Sequence, residues 1–184
     1  SRTDASGQTT NYDYDYNGNL TTITGPLGNT HYTAYNQYGG PTSRVDALGS
    51  TQVIEYDARL MPAYISDSLG TFGGYTWSRQ GSLLTHTDGG GRTTRFTYDE
   101  YGRLLSSVDP LGNSITYTYD LLGRQLTRTD ALSNTTRYEY DALGHVTAIS
   151  QPTSLITYYE YDASGNKTEV VDSEGRRTSF VYDA

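Results

Sequence analysis

Three histidines, His31, His86 and His145, and a long series of aspartates are the side chains of this sequence that could do chemistry. Imidazoles beside carboxylates suit general acid–base work, nucleophile activation or metal ligation. Their spacing argues against each of these. The histidines fall in three different phases of the repeating pattern described below, so they do not stack into one site, and each is expected at the surface. The recurring aspartates raise the question of calcium. However, the Gly-Gly-x-Gly-x-Asp nonapeptide of calcium β-rolls is absent, and Asp88-Gly-Gly-Gly91 is only a weak echo that reads as a turn. No glycine-rich turn leads into a Lys-Ser/Thr helix, so there is no phosphate loop. The chain has no cysteine, which removes disulfides and thiolate metal sites. The expectation is a non-enzyme with no catalytic, cofactor-binding or metal-binding residues.

The aspartates are instead part of a repeat. Tyrosine stands at positions 14, 35, 56, 98, 119, 140, 161 and 182, and the one gap in that series holds Trp77. The period is 21 residues throughout, without insertion or deletion, which marks a repeat architecture. The residue after the tyrosine is Asp or a close relative, and three further on stands Gly, with Leu60 the exception. Asp-x-x-Gly is tight-turn chemistry: the Asp side chain bonds the backbone ahead, and Gly takes the left-handed conformation. Ten residues later the same pattern returns, as in Asp109-Pro-Leu-Gly112.

Two turns per unit leave two short segments. The one entering the tyrosine alternates cleanly: Ile115, Tyr117 and Tyr119 point one way, Thr116 and Thr118 the other. That is a strand with one buried face. The second segment, such as Arg103–Val108 or His145–Ser150, is β-like with weaker alternation, and its facing stays open. No helical period appears. The chain therefore reads as all-β: a partial repeat at 1–13, eight β-hairpin repeats over 14–181, and the start of another at 182–184. Sixteen antiparallel strands would make a sheet roughly 75 Å long and ~20–24 Å wide, which is expected to curl because open twisted sheets rarely exceed about ten strands. The irregular stretches Leu60-Met-Pro62 and Thr71-Phe-Gly-Gly74 suggest a change of curvature or a loose seam. Two readings of the tyrosine ladder stand side by side. Rings in register on adjacent hairpins stack structurally, or they form a row of platforms for sugar rings. The structural reading is preferred.

Composition narrows the class. Leu, Ile, Val and Phe make up only about a sixth of the 184 residues, low enough to raise disorder. A net charge of −8 and 19 tyrosines argue against it: the chain buries rings instead of aliphatics. The acidic balance is unfavourable for nucleic acid. No apolar run approaches the ~18 residues of a membrane span. Both ends look cut, so a fragment of a longer protein is expected.

The segments Arg95–Leu104, Ile115–Arg124 and Arg137–His145 carry Tyr-x-Tyr-Asp-x-x-Gly-Arg or a close variant, and Asp109-Pro-Leu-Gly112 supplies Asp-Pro-x-Gly. This pattern resembles the YD repeats of the Rhs family, end to end. That family includes bacterial Rhs polymorphic toxins, the C components of insecticidal toxin complexes, wall-associated proteins and teneurins. The resemblance implies a structural segment of a hollow β-shell around a C-terminal toxin or cargo domain, secreted or at the cell surface and of bacterial origin. The partners it implies are that cargo domain, with delivery machinery or cell-surface glycans as further ones. The Leu-x-Gly-Gly run that ends such shells is missing after Gly112, so Asp109–Gly112 is not assigned that role. The alternative is a Tyr-rich module that binds carbohydrate or cell wall. Such modules are usually Trp-rich with Tyr-Tyr doublets, and this chain has one of each, Trp77 and Tyr158-Tyr159.

Overall fold

The computed structural model describes residues 1–67, 70 and 72–183. They form two compact units, Ser1–Thr94 and Arg95–Ala184. The first contains β1 (Arg2–Thr3), β2 (Thr9–Tyr14), β3 (Leu20–Thr24), β4 (Thr30–Tyr35), β5 (Pro41–Val45), β6 (Thr51–Tyr56), β7 (Pro62–Asp67), β8 (Phe72–Trp77) and β9 (Leu83–Thr87). The second holds most of β10 (Thr93–Tyr98), then β11 (Leu104–Val108), β12 (Ser114–Tyr119), β13 (Gln125–Thr129), β14 (Thr135–Tyr140), β15 (Val146–Ser150), β16 (Ile156–Tyr161), β17 (Lys167–Val171) and β18 (Arg177–Ser179). Within each unit every strand pairs antiparallel with the next in sequence, so each is a plain meander. Among the described residues neither meander closes on itself: each unit is an open, uncurled sheet, and the curl expected from the strand number is not seen, because each strand contacts only its sequence neighbours and nothing draws the sheet round.

The turns fall where the Asp-x-x-Gly pattern places them. Gly102, Gly112 and Gly123 donate their N–H to the carbonyls of Asp99, Asp109 and Asp120 at 3.1, 3.0 and 3.0 Å. In each turn the Asp N–H also bonds the carbonyl four residues on, as Asp120 does to Arg124 at 2.9 Å. This is the three-residue hairpin loop, a type I turn followed by a left-handed residue. Where glycine is missing, the backbone does not change. Leu60, Ser133 and Ser154 hold φ of 63°, 65° and 63° in the glycine slot. Of the irregular stretches, Leu60 closes an ordinary turn and Pro62 opens β7. Thr71 lies outside the described residues.

Facing follows from register. Tyr117 pairs Arg128 and Thr118 pairs Thr127, then the register shifts before Tyr119, which pairs Gln125. The second strand therefore puts Leu126 and Arg128 on the tyrosine face and Thr127 and Thr129 on the other. Hydroxyl pairs stitch that other face, Thr118 to Thr127 at 2.7 Å and Thr129 to Thr135 at 2.9 Å.

The anticipated buried face is only half dry. Ile54 (7% exposed) and Ala148 (3%) are the buried apolar residues of the described chain, and the ladder tyrosines 35, 56, 98, 119, 140 and 161 are intermediate. The reason is that, among the described residues, strands touch only their sequence neighbours and no second layer packs on the sheet of either unit. At 20.3 kDa the chain exposes 12497 Å², where a globular protein of that mass exposes about 8,800 Å². Stability must come from neighbour-to-neighbour fastening, not from a central core.

Candidate functional site

The fastening is concentrated at the rim where the tyrosine-linked turns lie. Hairpin strands such as β12 and β13 pair over four positions, but successive hairpins pair over only three. The last pair between β13 and β14 on this side is Thr127 with Arg137. Beyond it the strands part, and the Gln125 carbonyl is left without a ladder partner. The Tyr140 hydroxyl donates to that carbonyl at 2.8 Å. The same bond recurs fifteen residues back from Tyr35, Tyr56, Tyr119, Tyr161 and Tyr182, at 2.8, 2.8, 2.9, 3.0 and 2.9 Å. Trp77 makes it too, with its indole N–H on the Pro62 carbonyl at 2.7 Å. The position thus requires a ring with a donor at its tip. Trp77 is an equivalent, not a lapse. Tyr14, with no earlier hairpin to reach, is 60% exposed.

A second fastening starts from the aspartate. One Asp120 oxygen accepts the N–H groups of Leu122 and Arg124, both at 2.9 Å, and the other accepts Arg124 Nε at 2.6 Å. So held, Arg124 Nη1 donates to the Asp141 carbonyl of the next repeat at 2.8 Å, and the guanidinium lies 4.9 Å over the Tyr140 ring. Arg103 repeats this with Asp99, the Asp120 carbonyl and Tyr119. Arg59 reaches the Trp77 and Ser78 carbonyls from two residues earlier in its turn. His145 occupies the arginine position: Nδ1 lies 2.8 Å from Asp141, and the ring stacks on Tyr161 at 4.7 Å.

The electrostatics follow. For Asp120, partial desolvation pushes the carboxyl up, but the Arg124 side chain and the backbone N–H groups outweigh it and hold the group below the usual carboxylate range. In Asp109, Asp130 and Asp162 the Asn side chain four residues on is the main cause of the same shift. Burial raises the phenols of Tyr119, Tyr140 and Tyr161, with smaller contributions from Tyr117, Tyr138 and Tyr159.

The histidines do not converge. His31 is exposed, as expected. His86 and His145 are not free surface groups: His86 stacks on Tyr75 at 5.0 Å, and His145 is committed to its clamp. Among the described residues no group of three His, Asp or Glu side chains could hold a metal ion. The arrangement joins repeats.

This is an all-β repeat protein whose signature residues serve the seams between hairpins. The chain belongs to the RHS Repeat family, which matches residues 1–30, 77–113, 98–134 and 119–156; the last three matches begin one 21-residue repeat apart. Among solved structures it is similar to the crystal structure of TcdB2-TccC3, at 16% identity over 93% of this chain and 15% of that one, with a TM-score of 0.52. It is also similar to TcdB2-TccC3-TEV, at 17% identity over 99% of this chain and 14% of that one, with a TM-score of 0.53. At that identity the likeness concerns the fold, and the chain spans about one-seventh of the length of those relatives. No curated protein matches the chain.

Proposed function

We propose that this chain is a non-catalytic segment of a shell wall, one stretch of a YD-repeat sheet that encloses a toxin or other cargo domain of the same parent protein for delivery outside the cell. In this reading residues 14–181 are eight wall repeats, flanked by parts of two more. One observation carries it. The Tyr and Arg of the signature, residues that chemistry would need, are committed to carbonyls and rings of the neighbouring repeat, and the Asp is committed to its own turn and to that Arg. Such a segment works by being continuous and closed to protease, not by turning over a substrate.

The glycan-binding alternative loses its main support, because the ladder rings are half-buried struts with their hydroxyls engaged. Limited proteolysis of the parent protein tests the shell. The cargo domain is expected to resist protease while the repeats are intact and to become sensitive once they are opened. A cargo cut as fast inside the parent as when expressed alone would end the encapsulation reading.

A further inference from the structure

Left-handed backbone strains any residue that has a side chain, and such strain gathers at functional sites. Among the described residues three non-glycines hold it. Two of them, Ser133 at φ 65° and Ser154 at φ 63°, line one groove on the rim of the Asp109-type turns. In every other turn of that rim the same slot is glycine. The second of these turns departs again at its first residue. It opens on Gln151, where the turns on either side open on Asp130 and Asp172. An amide thus replaces a carboxylate beside the groove that the two serines share.

The strands add a cation. Register sets Arg137 of β14 beside Ser150 of β15, and Ser150 beside Ile156 of β16. With Pro152 these three line the same groove, whose volume is about 500 Å³. Among the described residues Arg137 makes no ion pair, and the side chains of Ser133, Ser150, Gln151 and Ser154 make no hydrogen bond. The nearby carboxylates do not take up the arginine. Asp130 accepts the N–H groups of Leu132 and Asn134 and the Asn134 side-chain amide. Glu139, on the same face of β14, stands about 7 Å farther along the strand. The neighbouring groove, between the turns at 109–112 and 130–133, is lined instead by Asp109 and Asp130, with no arginine among its described residues.

We propose that this groove binds a phosphate or sulfate monoester, with the oxyanion on Arg137. The donors select the charge of the ligand. A guanidinium grips tetrahedral oxyanions through paired N–H groups, and the serine hydroxyls and the Gln151 amide supply further N–H and O–H donors. The volume selects an ester over the bare ion, because about 500 Å³ is the size of a small-molecule pocket. Pro152 and Ile156 offer apolar contact to the organic part of such a ligand. The groove is open to solvent, so binding weakens as salt screens the charge. None of these residues takes part in the clamps at the tyrosine rim, so the site adds to the wall without using its fastenings.

An NMR titration of the 184-residue chain tests this, with phenyl phosphate, phenyl sulfate and inorganic phosphate at constant ionic strength. At least one ester should give saturable amide shifts at residues 133–137 and 150–156 and bind more tightly than inorganic phosphate. The tighter ester identifies the group. Arg137→Gln should weaken it at least about tenfold, the loss of one charged hydrogen-bonding partner. Gln151→Asp, which restores the carboxylate of the repeat, should do the same by repulsion. The double variant S133G/S154G should bind more weakly yet melt at a higher temperature, which separates a lost ligand contact from a damaged fold. Shifts that do not saturate, equal shifts from sodium chloride, or an Arg137→Gln variant that binds like wild type would each overturn the proposal. Inorganic phosphate binding as tightly as both esters would also overturn it. The protease result for the parent does not depend on this groove, so the two readings fail separately.

Discussion

The Tyr140 hydroxyl meets the Gln125 carbonyl at 2.8 Å, across the point where strands β13 and β14 stop pairing. A side chain there substitutes for a rung of the sheet. A lost hydrogen bond leaves a half-buried carbonyl unsatisfied, which costs about 1–2 kcal/mol. Tyr140→Phe should therefore destabilise by about that amount, although it keeps the ring and its stacking with Arg124. Tyr140→Trp should cost less, as Trp77 already fills the equivalent place. Urea unfolding curves of the two variants give the comparison. A Phe variant as stable as wild type would show the bond to be incidental.

The glycine slots offer the opposite experiment. Ser133 and Leu60 sit at φ 65° and 63°, a region that penalises side chains by about 1–2 kcal/mol. Glycine removes that strain but adds freedom to the unfolded chain. Ser133→Gly and Leu60→Gly should thus stabilise by a net ~0.5–1 kcal/mol, read as a rise in melting temperature. The reverse change at Gly165 should be costly. Its φ is +84°, and a Cβ there would approach His145 Nε2 to 3.0 Å, crowding a clamp as well as a turn.

Stability should fall at both ends of the pH scale, for separate reasons. The turn aspartates have folded pKa values below their ordinary value of 3.8, so they bind protons more weakly folded than unfolded. Their contribution is present above that value and disappears as pH falls through the lower folded values. Tyr119, Tyr140 and Tyr161 have folded values above 10.0, so their contribution is complete below pH 10 and is lost as pH rises through the folded values. Melting temperatures from pH 2 to 12 should trace a broad plateau with two shoulders. Asp120→Asn should reduce the acid shoulder and Tyr119→Phe the alkaline one.

Much of this was legible in the residues. A 21-residue period, two Asp-x-x-Gly turns per period and the alternation of Ile115, Tyr117 and Tyr119 are local signals. Local signals suffice for a meander, in which each strand meets only its sequence neighbours. The seam was harder to read. That Tyr140 reaches Gln125, or that Arg124 reaches Asp141, depends on the register shift before the tyrosine and on strands that part beyond Thr127 and Arg137. Neither leaves a mark in hydropathy. One trace did exist: the single substitute in the tyrosine series is Trp77, another ring bearing a donor, and phenylalanine, which lacks one, never takes that place. The dry face was overestimated for a plain reason: alternation reports which side chains share a face, not whether anything covers it.

Every tie in this sheet is short along the chain. Among the described residues the farthest-reaching hydrogen bond, from Arg59 to the Ser78 carbonyl, spans nineteen residues. Such a chain has low contact order, and low contact order makes for fast folding without a distant nucleus. Each hairpin can set as soon as it and its successor have left the ribosome, at ~5–20 residues per second. The sheet then grows behind the exit tunnel at the pace of synthesis, one repeat every few seconds. Translation itself becomes the assembly line, and the unfinished end is never longer than about one repeat.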